Sequence, residues 1–162
     1  MTAATAAKMA EDLVVIITRV FDAPRELVFQ AFTDPKHIPR FWGPDGFRST
    51  VREMDVRPGG AFRIDMHAPG GATYPCEGIY REVIAPERIV YTGGPDCGHP
   101  CGGGLPPSAV ITITFADLGG RTKLTIDTRF ESSARRAAAV EMGFNTGWAQ
   151  TLDRLATCIG ER

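Results

Sequence analysis

Between Phe47 and Phe130 the apolar residues of this chain alternate with polar ones, and glycine or proline interrupts the alternation at short intervals; after Ser133 apolar residues recur every three or four positions. A period of two belongs to strands with one buried face, and a period near 3.6 to a helix with one buried stripe. Strands joined by connections too short for a crossover must run antiparallel. Their shared apolar face then has to be covered, and the C-terminal segment has the stripe to do it. The pattern predicts an α+β domain, a twisted antiparallel sheet of six to seven strands wrapped round a long C-terminal helix.

The strands can be placed individually. Phe62, Ile64 and Met66 alternate with Arg63, Asp65 and His67 between the turns Arg57-Pro58-Gly59-Gly60 and Pro69-Gly70-Gly71. "TYPCEGIYREVI" and "RIVYT" follow, joined by Ala85-Pro86-Glu87, and "AVITITF" and "TKLTIDTRF" form a hairpin over Leu118-Gly119-Gly120. At the other end, "LVVIITRVF" at 13–21 reads as a buried strand. Two short helices follow it. The first opens at Pro24 with Leu27, Val28, Ala31 and Phe32 on one stripe; the second opens at Asp34-Pro35 and is stopped by Gly43-Pro44. From about Ser133, Val140, Phe144, Trp148, Leu152, Leu155 and Ile159 mark a helix of about six turns, with Gly143 and Gly147 inside it as weak points.

Composition narrows the function classes. Eighteen basic residues against nineteen acidic ones, for a net charge of -1, give no global attraction to nucleic acid or to an anionic membrane surface. The longest apolar run, Leu13 to Ile17, is too short to span a bilayer. Residues 1–12 read as a loose tail without the apolar stretch of an export signal, so residues 13–162 are expected to form one domain in the cytoplasm, with reduced thiols. Phosphate-binding glycine loops and nucleophile elbows are absent.

Six segments, in order, carry a family resemblance: "FDAPRELVFQAFTDP" (21–35), "FWGPDGF" (41–47), "DVRPGGAFRIDM" (55–66), "GIYREVIAPERIVYT" (78–92), "TITF" (112–115) and "GWAQTLDRL" (147–155). The chain resembles the START-like, or SRPBCC, superfamily of the helix-grip fold, and within it the branch named for activators of the heat-shock chaperone ATPase. The resemblance spans about residues 13–159. It implies a sheet gripping the C-terminal helix with a cavity between them, and functions scattered over ligand binding, cyclase chemistry and chaperone partnership. One departure is the loop "PDCGHPCGGGLPP", longer than family members usually carry there.

A single helix does not fill the concavity of a strongly curved sheet, so an apolar gap is expected. Its expected lining is Phe32, Phe41, Trp42, Phe47, Phe62, Ile64, Met66, Tyr80, Tyr91, Phe144, Trp148 and Leu152. Phe41 and Trp42, set against Gly43-Pro44 where a helix must stop, read either as a gate or as a plug that buries about 150–250 Å² per ring. Tyr80, Tyr91 and Arg81 are the polar groups expected to orient a ligand. In the odd loop, Cys97, His99 and Cys101 are two thiols and an imidazole within five residues. The alternatives there are a plain loop, a zinc or redox site, and a segment folded over the cavity mouth. No cofactor is expected otherwise.

Three functions stay open at this stage. The first is a binding protein for a hydrophobic small molecule, whether lipid, aromatic or polyketide-like. The second is a protein partner of a heat-shock chaperone. The third is a cyclase or hydrolase, which needs ionisable groups such as Asp65, His67 and Glu77 inside the cavity.

Overall fold

The computed structural model describes residues 12–96 and 98–159. The tail expected at 1–12 therefore lies, except for Asp12, outside the described residues. Seven strands form one open antiparallel sheet: β1 (Val14–Phe21), β2 (Arg48–Met54), β3 (Ala61–His67), β4 (Thr73–Ile84), β5 (Arg88–Gly93), β6 (Val110–Asp117) and β7 (Thr122–Arg129), in the spatial order β1-β7-β6-β5-β4-β3-β2. Strands β2 to β7 are a meander, and β1 pairs with β7 in unbroken register from Val14↔Arg129 to Phe21↔Thr122. The first strand is thus an edge strand. Its inner side buries Val15 and Phe21, while Ile16 is 62% exposed on the outside. The buried strand expected at 13–21 is buried on one face only, because a β-branched run also suits an edge strand with one open face.

Between β1 and β2 the chain crosses from one sheet edge to the other through two helices, α1 (Arg25–Thr33) and α2 (Ile38–Phe41). In α1 the carbonyl of Pro24 accepts the N–H groups of Leu27 and Val28, and Val28, Phe29, Ala31 and Phe32 are buried. The second helix is a single turn that begins at Ile38, not at Pro35. Asp34 is used in a turn instead, its carboxylate accepting the Lys36 N–H at 2.9 Å.

The C-terminal segment is two helices rather than one of six turns: α3 (Ser133–Glu141) and α4 (Phe144–Ile159). Ser132 caps α3 by accepting the Arg135 N–H. The break falls at Gly143, whose φ of +97° lies in the region that favours glycine. Only α4 runs along the inner face of the sheet, burying Phe144, Trp148, Leu152, Leu155 and Ile159. Opposite it the strands contribute Phe62 and Ile64 from β3, Tyr80 from β4, Ile89 and Tyr91 from β5, Ile111 and Ile113 from β6, and Leu124 and Ile126 from β7. Each such side chain taken fully from water contributes roughly 1.5–3 kcal/mol. Buried hydroxyls at the joints are satisfied: Thr122 donates to the Ala23 carbonyl and Ser49 to the Trp42 carbonyl, both at 2.7 Å.

Candidate functional site

The aromatic corner is built by helix termination. After Phe41 the chain turns at Gly43, with φ +111°, and turns again where the Phe47 N–H meets the Pro44 carbonyl at 3.1 Å. Helix α4 holds this corner from the side. Arg154 donates from Nη1 to the carbonyls of Gly43 at 2.9 Å and Pro44 at 3.3 Å, and Thr151 Oγ1 accepts the Gly43 N–H at 3.3 Å. Phe41 and Trp42 are both buried. Trp42 packs on Phe62 at 5.1 Å and edge-to-face on Trp148 at 5.3 Å.

The long loop between β5 and β6 meets this corner. Its short 3₁₀ turn, Gly102–Gly104, offers two consecutive carbonyls to the two indoles: Trp42 Nε1 donates to Gly103 at 3.1 Å and Trp148 Nε1 to Gly104 at 3.2 Å. The approach requires glycine. A Cβ on Gly103, at φ +66°, would stand 2.6 Å from the Cys76 Cβ and 2.8 Å from the Met66 sulfur. Leu105 is buried beyond the turn, over Gly78 on the inner sheet face. The loop is also tied to α3. The Cys101 thiol donates to the Ala139 carbonyl at 3.4 Å, and Arg135 pairs with Asp96 at 3.3 Å. Asp96 is held below the usual carboxylate range by the Gly98 N–H and then by Arg135.

Corner, loop and the start of α4 enclose a pocket of about 270 Å³. Trp42, Phe47 and Met66 form its wall on the sheet side, and Phe144, Gly147 and Trp148 form the wall on α4. Gly103, Gly104, His99 and Cys101 close it from the loop, and Tyr74 and Met142 stand at its rim, each more than a third exposed. Among the described residues its lining contains no aspartate, glutamate, lysine or arginine. Polar character comes from Thr151, Tyr74 and His99. His99 Nδ1 accepts the Cys101 N–H at 3.2 Å, so the neutral ring carries its proton on Nε2 as a donor.

Of the residues expected to line a cavity, Trp42, Phe47, Met66, Phe144 and Trp148 are in this wall. Phe32, Phe41, Phe62, Ile64, Tyr80, Tyr91 and Leu152 are not; they fill the interior between α4 and the sheet. Facing pattern alone assigns a residue to the inner layer but does not say which part of that layer is open. Cys101 enters the wall as part of a loop folded over the cavity mouth, one of the three alternatives the sequence left open, and not as a metal ligand; Tyr74, Gly103, Gly104 and Gly147 were not among the expected lining, because a glycine signals space only once its neighbours are known. Of the candidate metal ligands, Cys97 lies outside the described residues. His99 stacks edge-to-face on Tyr74 at 5.5 Å, and burial pushes the Cys101 thiol up to about 11. No cluster of three His, Cys, Asp or Glu residues able to hold a metal ion occurs among the described residues.

Asp65, His67 and Glu77 face outward, so the register that would have made them a cavity acid–base set does not occur. Asp65 pairs with Arg52 at 3.0 Å, and Glu77 with Arg52 at 3.6 Å and Arg63 at 3.5 Å. His67 sits between the hydroxyls of Thr50 and Thr73 at 2.9 and 3.1 Å. Arg81 is on that outer face too, donating to Thr92 Oγ1 at 2.9 Å.

The family model described as "Activator of Hsp90 ATPase homolog 1-like protein" matches residues 22–160. The chain belongs to this family. Solved structures agree across nearly the whole length. A protein from Chromobacterium violaceum is 32% identical, with a TM-score of 0.76 over 92% of this chain and 98% of its own. One from Mycobacterium smegmatis is 25% identical, with a TM-score of 0.79 over 92% of each chain. One from Nitrosomonas europaea is 25% identical, with a TM-score of 0.78 over 90% of this chain and 93% of its own. No curated protein matches the chain. The family places the domain in the START-like, helix-grip class. No described helix is long and apolar enough to cross a membrane.

Proposed function

We propose that this protein binds a compact, uncharged, largely apolar small molecule in the pocket between the Trp42 corner, the 99–104 loop and the start of α4. The observation that carries this is the lining: aromatic and sulfur-bearing side chains, glycine backbone and, among the described residues, no carboxylate, lysine or arginine, around about 270 Å³. That volume is near the lower end of ligand sites, which favours a ring system or short chain over a full-length lipid. Affinity would come from apolar burial at roughly 25 cal/mol per Å², reduced by the cost of ordering the ligand. Both indole N–H groups are already bonded to the loop, so the side chains of His99, Tyr74 and Thr151 are left to fix the ligand's orientation. The one thiol in this lining among the described residues, Cys101, is kept protonated by burial and donates to the Ala139 carbonyl, while His99 Nδ1 takes the Cys101 backbone N–H rather than the thiol proton, which favours binding over catalysis.

Gly147 gives a direct control. A Cβ there meets only Pro44, at 3.7 Å, and the residue lies in the pocket wall. Gly147→Leu should fill the pocket while raising helix propensity by about 0.5–1 kcal/mol. Native mass spectrometry against an apolar library should show bound mass on the wild type and none on Gly147→Leu. Equal binding to both proteins would refute the pocket as the site.

A further inference from the structure

Two of the polar groups that the sequence offered for orienting a ligand lie outside the pocket lining. Tyr80 and Tyr91 are cross-strand partners on the inner face, with ring centroids 5.1 Å apart. Both are fully buried, and neither hydroxyl has a hydrogen-bond partner among the described residues. An unpaired buried hydroxyl costs about 1–3 kcal/mol, and two side by side are not an expected product of core packing alone. Elsewhere in the described interior Ser49 and Thr122 are bonded, and Thr128 Oγ1 is a third hydroxyl without a partner, but Tyr80 and Tyr91 alone stand as a cross-strand pair.

The pair is close to the pocket by two routes. From the sheet side, Trp42 in the pocket wall touches Phe62 at 5.1 Å, and Phe62 touches Tyr91 at 5.5 Å and Tyr80 at 6.0 Å. From the loop side, Gly103 in the wall is packed directly on Cys76, whose thiol is an electrostatic neighbour of both phenols. Leu105 covers Gly78, which pairs with Gly93; Tyr80 and Tyr91 form the next inward-facing pair on the same two strands. A single layer, Gly103 to Leu105, therefore lies between the pocket and the sheet positions leading to the phenols. That layer is a glycine turn held by two indole hydrogen bonds and one leucine side chain.

The geometry points to Tyr80 and Tyr91 as a paired phenol site that hydrogen-bonds the polar end of a ligand whose apolar body occupies the pocket, reached by displacing Leu105. This rests on the pocket being the binding site, and it names the ligand class: an uncharged ring compound carrying one hydroxyl or carbonyl. Each phenol can donate and accept, so the pair can satisfy either group. A carboxylate is disfavoured, because burial already holds both phenols in their neutral form and would penalise an anion in the same way.

The test compares 2-naphthol with 2-methylnaphthalene, which share a ring system and differ in the polar end, on the full chain. The chain has three tyrosines, so ring-labelled protein gives three resolvable phenol-carbon signals, assigned with single Tyr→Phe variants. Wild type should bind 2-naphthol roughly two- to tenfold more tightly, with the Tyr80 and Tyr91 signals moving. In Tyr80→Phe/Tyr91→Phe that preference should vanish while 2-methylnaphthalene affinity holds, and the denaturation midpoint should not fall. Equal binding of both probes to wild type and variant overturns the phenol site and leaves the pocket reading intact. Binding of neither probe overturns both. A lowered midpoint in the variant also counts against the proposal, since it would mean that the hydroxyls are already bonded within the fold.

Discussion

At the residue scale the site depends on Gly103. Its position between Cys76, Met66 and the Trp42 indole admits no side chain, and its φ is one that other residues adopt at a cost. Gly103→Ala should destabilise the protein by about 2–4 kcal/mol in chemical denaturation, from overpacking plus backbone strain. It should also release the loop from the tryptophans. Cys101 supplies a second residue-level prediction. Burial raises its thiol from 9.0 to about 11. Stability from this group is complete below pH 9 and is lost as pH rises toward 11, because the unfolded chain ionises first. Alkylation of Cys101 in the folded protein, followed by mass spectrometry, should stay slow at pH 8–9 and accelerate only as pH nears 11. The sequence offered the cysteines, the histidine and the glycines of this loop, but not their partners. Gly103 and Trp42 are 61 residues apart, and nothing local to either marks the contact.

At the element scale, the corner and α4 act as one unit through Arg154. Its guanidinium, half-buried, holds the carbonyls of Gly43 and Pro44 in the turn that follows α2. Arg154→Met keeps the stem and removes the donors, and should cost about 1.5–3 kcal/mol, measured by urea unfolding. Pocket binding should weaken with it, because Trp42 loses its support. Element types were legible because periodicity reports burial directly: the 73–84 strand, the hairpin over Leu118-Gly119-Gly120 and the outward side of Arg63, Asp65 and His67 all follow from alternation. The break at Gly143 was not. The apolar spacing continues through it, and only the left-handed backbone there separates α3 from α4.

At the scale of the whole molecule, the open sheet curls round α4, with β1 and β2 as its edges and α1 and α2 carrying the chain between them. The fold class was readable because every level of the sequence agrees on it: turn chemistry, alternation, the helical stripe and the ordered family segments. The open space was not readable in the same way. Most of the expected cavity is filled by Phe32, Phe62, Tyr80, Tyr91 and Leu152, and the glycine-rich loop occupies part of what remains. What stays open is one end of the grip, beside both tryptophans. These are the only two tryptophans in the chain, and both indole N–H groups are structural donors in the pocket wall. Their nitrogen–proton NMR signals therefore report on the site with no added label chemistry. Titration with a compact apolar ring compound should move both indole signals along one shared binding curve in wild type, and neither in Gly147→Leu. Two indole signals that stay fixed up to the solubility limit of a series of such compounds would contradict the account.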